Sequence, residues 1–94
     1  MEVAWLLWDD ENVEHIAGHG VTPAEVEQVV FGADTAGPFR DDRIRQGRLV
    51  FIGYTERRRP LVVVTDRPTA TREAYVVSAR PANDRERKKY LEES

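Results

Sequence analysis

Cysteine is absent from this 94-residue chain. That excludes a disulfide framework and a thiolate metal site, and it suits a reducing compartment. A long hydrophobic run is also missing. The longest, Val3 to Trp8, falls far short of the about 20 apolar residues that span a bilayer. No basic stretch precedes that run, so no secretory signal is expected, and the expectation is a soluble cytoplasmic protein. The third absence is positive charge at the front. Residues 1–39 hold eight carboxylates and no Lys or Arg, whereas residues 40–94 hold all fourteen basic residues and nine acidic ones. Twelve of the fourteen are Arg, whose planar fork matches phosphate. A split of this kind suggests a second half that binds a polyanion, or a complementary protein partner; the plainer alternative is solvated helix faces. The length gives one domain over residues 1–94, with one modest core.

Capping signals organise what is present. Val3 to Trp8 is apolar on both faces and reads as a strand buried within a sheet. Asp9 follows as an N-cap, with Asp10 and Glu11 in the first turn of a helix running to about His19. Val13, Ile16 and Ala17 are its expected buried stripe, and Gly20 its stop. The stretch Val21-Thr22-Pro23-Ala24-Glu25-Val26 then combines a capping box (Thr22, Glu25), a proline at the first helical position and a hydrophobic staple between Val21 and Val26. Val26, Val29 and Val30 supply the buried face of this second helix.

A Gly- and Asp-rich connection, with room for a short edge strand around Phe39 to Arg45, leads to three strands. Arg48 to Thr55 alternates, placing Arg48, Val50, Ile52 and Tyr54 on one face and Leu49, Phe51 and Gly53 on the other. Leu61 to Asp66 and Ala74 to Arg80 complete a meander, with turns at 56–60 and 67–72. Asn83 caps a last helix with Glu86 in the capping-box position. Only Tyr90 and Leu91 are clearly apolar there, so the helix is marginal alone and suited to support from a partner or a second copy. The expected class is α+β: an antiparallel sheet of about four strands with two N-terminal helices and one C-terminal helix, in the order β-α-α-β-β-β-α, with the helices against one face. The tryptophans Trp5 and Trp8 are read as core.

Residues 74–90, AYVVSARPANDRERKKY, form the candidate functional stretch by pattern alone: an apolar strand delivers Ser78 and Arg80 at its end, then a proline leads into a dense charged helix. Ser78 and Arg80 share a strand face and suit a phosphate. Arg57-Arg58-Arg59 reads as a solvated turn that also suits contact with a phosphate backbone. His15 and His19 lie one helical turn apart, but no third ligand supports a metal site, and none is assigned.

Taken in order, these pieces resemble the BrnT toxins of bacterial type II toxin–antitoxin systems, within the broader RelE/ParE-like ribonuclease fold. The resemblance rests on Trp8-Asp9, His19-Gly20-Val21, Glu25-Val26 with Val29 and Phe31, Leu61 to Thr65 followed by Arg67, Ser78-Ala79-Arg80 with Ala82, and Glu86-Arg87 with Tyr90. It departs at Gly18, where the family usually has lysine, and at His15, where it has asparagine. It implies a metal-independent endoribonuclease acting on mRNA, without cofactor, neutralised by a small DNA-binding antitoxin, as a homodimer or a hetero-oligomer with that partner. On this reading Arg80, Arg67 and Arg48 hold the phosphate, and His19, Glu86 and Tyr90 are candidates for proton transfer. Ser78, Arg57, Arg58 and Arg59 are candidates for RNA contact. Each has a structural alternative: His19 as a carbonyl cap, Glu86 as the partner of Asn83, Tyr90 as an anchor. Two further readings stand beside it, a non-catalytic decayed toxin that acts through protein contacts and a small hydrolase with a histidine metal site.

Overall fold

The computed structural model describes residues 3–41 and 47–92. Eight elements follow in the order β1 (Trp5–Leu7), α1 (Asp10–Ala17), α2 (Pro23–Val30), β2 (Ala36–Asp41), β3 (Arg48–Tyr54), β4 (Pro60–Thr65), β5 (Glu73–Pro81) and α3 (Asp84–Tyr90). The fold is α+β with a five-stranded sheet in the order β1-β5-β4-β3-β2. β2 through β5 are antiparallel neighbours, and β1 runs parallel to β5. The sheet is therefore mixed and has one strand more than the expected antiparallel four. The expected edge strand near residue 39 is β2, and positions 42–46 lie outside the described residues.

The caps form as the sequence dictates. Asp9 accepts from the Asn12 amide at 2.9 Å and Asn12 Oδ1 accepts from the Asp9 amide at 2.9 Å. Thr22 with Glu25 and Asn83 with Glu86 close equivalent reciprocal boxes. Gly20 takes φ +73°, the left-handed turn that ends the first helical segment, and the Val21 amide reaches back to the Ile16 carbonyl. Three capping boxes in one small chain fix where each helix starts before any packing is considered.

α1 and α2 cover one sheet face. Ile16, Val21, Val26, Val29 and Val30 pack there on Leu49, Phe51, Leu61, Val63, Ala74, Val76 and Ala79. Phe51 is 1% exposed at the centre of this layer. The α1 stripe differs from expectation, since Ala17 is exposed and Val13 half-buried. The position is taken by buried Asn12, whose amide donates to the Leu7 and Val76 carbonyls at 2.9 and 3.1 Å. A polar side chain thus stitches α1 to the two strands beside it, both bonds satisfying a buried donor.

Two expectations fail for a topological reason. β1 is an edge strand, so Trp5 (64% exposed) and Leu7 (43%) face outward rather than into the core. Trp8 does pack against the core, its indole donating to Glu27 at 3.0 Å. The helices also do not share one face: Glu86 and Tyr90 of α3 border a cleft whose floor is Val50, Ile52, Val62 and Val64, the sheet face turned away from α1 and α2.

Candidate functional site

The face turned away from α1 and α2 carries the candidate chemistry, because alternation along β3, β4 and β5 places Arg48, Val50, Ile52, Val62, Val64, Ser78 and Arg80 on it. Register sets their order. Arg80 lies opposite Val62 and Ser78 opposite Val64 on one stretch of the β4–β5 ladder. A bulge between Val64 and Thr65 inserts one residue of β5, and past it the Asp66 amide donates to the Tyr75 carbonyl. Arg48 and Arg80 therefore stand toward opposite ends of the strands, with Ser78 between them.

At the Arg80 end, a cleft of about 450 Å³ is bounded by Phe39, Arg40 and Asp41 of β2, the apolar floor, Arg80, and Glu86 and Tyr90 of α3. Arg80 is not open to a phosphate here. Its Nη1 and Nη2 donate to Glu86 Oε1 and Oε2 at 2.8 and 2.7 Å, a fork-to-fork pair. Glu86 Oε1 also accepts from the Asn83 amide at 3.0 Å, so one carboxylate closes both the ion pair and the helix cap. The Arg80 hydrogen bond, and then the Asn83 amide, hold the Glu86 carboxyl below the usual carboxylate range against the opposing effect of burial. Arg80 is correspondingly pushed up. α3 buries none of its residues, and Tyr90 stacks on Phe39 with ring centroids 5.2 Å apart.

At the other end, a cleft of about 280 Å³ is lined by Glu11, Asn12 and His15 of α1, Arg48, Asp66, and Tyr75 and Val77 of β5. Asp66 Oδ1 lies 3.5 Å from Arg48 Nε, too long for a hydrogen bond. The Tyr75 hydroxyl donates to Asp9 Oδ1 at 3.1 Å, tying β5 to the cap of α1. Burial first, then Asp9 and the charges of Glu11 and Asp66, push the Tyr75 phenol above its ordinary value, so it stays protonated at neutral pH. Arg67 follows in the loop after β4, its methylenes packed where a Cβ on Gly47 would stand.

The remaining sequence candidates scatter. His19 lies outside the helices and meets His15 edge-on, with centroids 5.5 Å apart. Among the described residues, no group of three or more His, Asp or Glu could hold a metal. The arginine turn divides three ways. Arg57 is exposed, Arg58 takes φ +66° and lies 4.2 Å over the Tyr54 ring, and Arg59 is structural rather than solvated. Arg59 Nη1 donates to the Gly20 carbonyl at 2.6 Å and meets Glu25 at 3.2 Å, tying the β3–β4 turn to α2. Partial burial pulls Glu25 upward, but the Thr22 amide and then Arg59 outweigh it and leave Glu25 below the carboxylate range.

The structure thus joins Arg80, Glu86 and Tyr90 in one cleft and puts Arg48 in another. Sequence reasoning missed Glu11, Asp66 and Tyr75 and read His15 only as a possible metal ligand. Strict alternation from Ser78 and Arg80 puts Tyr75 on the opposite face; the bulge in β5 brings it back to theirs, and nothing in the local sequence announced that bulge.

A family model described as the ribonuclease toxin BrnT of type II toxin–antitoxin systems matches residues 8–86. No curated protein and no solved structure matches the chain.

Proposed function

The chain belongs to the BrnT family of ribonuclease toxins from type II toxin–antitoxin systems, and from that premise we propose that it is an endoribonuclease that cuts mRNA without a metal ion and is neutralised by a cognate DNA-binding antitoxin. The observation that carries this reading is the separation of charge across the sheet. The exposed carboxylates Asp10, Glu14 and Glu27 belong to α1 and α2, while Arg48, Ser78 and Arg80 lie on the opposite face. A polyanion is repelled by the first layer and attracted by the second.

RNA backbone lies along that second face on this proposal, with Arg48 and Arg67 at one end and Arg80 at the other. Arginine suits the task because it stays charged and meets phosphate oxygens in pairs. Ser78 donates to a phosphate oxygen between them, and exposed Arg57 and Arg58 extend the contact without reading sequence. Glu86 and Tyr90 border the Arg80 end, where Glu86 must release the guanidinium before a phosphate takes its place. The RelE/ParE-like character of the fold, and residues 1–94 as one domain, belong to the same proposal.

A second reading, a decayed toxin that acts only through protein contacts, draws on one observation: the Arg80 fork is already filled by Glu86. Expression of the chain alone in a bacterial host, with growth and total RNA followed after induction, separates the two. Growth arrest with fragmented RNA, relieved by the antitoxin, supports the toxin. Normal growth and intact RNA with folded protein present support the binding module.

A further inference from the structure

We propose that the chemical centre of this ribonuclease is the cleft between α1 and the strand ends at Arg48, with the His15 imidazole as the general base and Arg48 as the phosphate ligand. This rests on the ribonuclease reading above and deepens it, by separating where RNA is held from where it is cut.

Transphosphorylation of RNA needs a group that takes the 2′-hydroxyl proton near neutral pH and a cation on the phosphate as charge builds. The cleft beneath α3 offers no such base. Its titratable lining is Arg40, Asp41, Arg80, Glu86 and Tyr90, with no imidazole, and its best cation is held by a carboxylate on both terminal nitrogens. The cleft at α1 has both parts. Histidine is the side chain whose ordinary pKa lies nearest neutrality, and His15 lines this cleft together with Arg48. Asp66 Oδ1 lies 3.5 Å from Arg48 Nε, and the Arg48 side chain keeps 18% of its surface exposed at the cleft; on this proposal the terminal amino groups of the fork meet two phosphate oxygens.

The surrounding groups fit the assignment. Glu11 on α1, Asp66 just after β4 and Tyr75 from β5 also line the cleft, and His19 meets His15 edge-on. Tyr75, hydrogen-bonded to Asp9, fixes the N-terminus of α1 against β5, so it is a positioning residue for His15. In the step itself the 2′-hydroxyl proton passes to His15, the 2′ oxygen bonds to phosphorus, and the bond from phosphorus to the 5′ oxygen breaks. The leaving 5′ oxygen takes a proton from water, and His15 returns its own to solvent. The products are a 2′,3′-cyclic phosphate and a 5′-hydroxyl, with no metal, oxidant or attacking water.

The test compares purified wild type, His15→Ala and Arg48→Lys on a labelled RNA in the presence of a chelator, with Glu14→Ala as a surface control on the same helix. Thermal melts of each protein verify folding. His15→Ala is expected to cleave about 10²- to 10⁴-fold more slowly. Added imidazole is expected to restore part of that loss in His15→Ala and to leave Arg48→Lys unchanged, which a merely structural histidine does not do. Wild-type rates in a folded His15→Ala, or a slow His15→Ala that imidazole does not rescue, overturn the assignment while the ribonuclease reading stands. No cleavage by folded wild type overturns both.

Discussion

Replacing Glu86 by glutamine isolates the lock on Arg80. Glutamine keeps the side-chain oxygen that the capping box needs, so the bond from the Asn83 amide survives and the charge alone is lost. The ion pair has good fork geometry, at 2.8 and 2.7 Å, but the Arg80 side chain is 43% exposed against 21% for Glu86. Screening therefore brings it to about 0.5–1 kcal/mol. Glu86→Ala also removes the return bond from the Asn83 amide, while the Asn83 side chain still caps the backbone amide of residue 86, and this adds about 0.5–1 kcal/mol. The acid dependence has a definite sign. The Glu86 carboxyl is held below its ordinary value in the fold, so its contribution is complete above that ordinary value and is lost as pH falls through the lowered one. Urea unfolding of wild type, Glu86→Gln and Glu86→Ala at pH 7 and at pH 3 measures all of this, with amide exchange of residues 84–90 reporting whether α3 frays. The glutamine variant is expected to lose stability at pH 7 and to differ less from wild type at pH 3. A difference that is equal at both pH values, or an alanine variant no worse than glutamine, refutes the assignment of two roles to one carboxylate.

Other outcomes follow from the same geometry. Phe51→Ala, at the centre of the layer beneath α1 and α2, is expected to cost about 3–5 kcal/mol in chemical denaturation. Arg59→Ala is expected to lose about 1 kcal/mol of stability through Glu25 and the Gly20 carbonyl and to leave RNA affinity nearly unchanged. Arg57→Ala is expected to leave stability unchanged and to lower RNA affinity and its salt dependence slightly, read by titration at two salt concentrations.

Local chemistry made much of this fold legible. The boxes at Thr22–Glu25 and Asn83–Glu86 are written within four residues, and each forms as written. Alternation from Arg48 to Tyr54 assigned both faces of β3 correctly, because one face is buried under helices and register cannot slip without exposing it. What failed was set over longer distances. The run from Val3 to Trp8 looks buried because it is apolar on both faces, yet pairing in parallel at the end of the sheet leaves Trp5 and Leu7 outside. Arg59 sits in a polar turn that reads as solvated, and nothing near it in sequence announces Glu25, 34 residues away. The bond from Tyr75 to Asp9 spans 66 positions and ties β5 to the cap of α1 beside the cleft at Arg48. Arg80 was readable as a strong anion ligand, but not that the anion nearest to hand is Glu86.

The most direct test of the central claim is incubation of the purified, folded chain with end-labelled RNA and excess chelator. Cleavage that leaves 2′,3′-cyclic phosphate ends and that the cognate antitoxin abolishes is the expected result. Intact RNA under those conditions, or cutting that appears only when a divalent metal is restored, contradicts that claim.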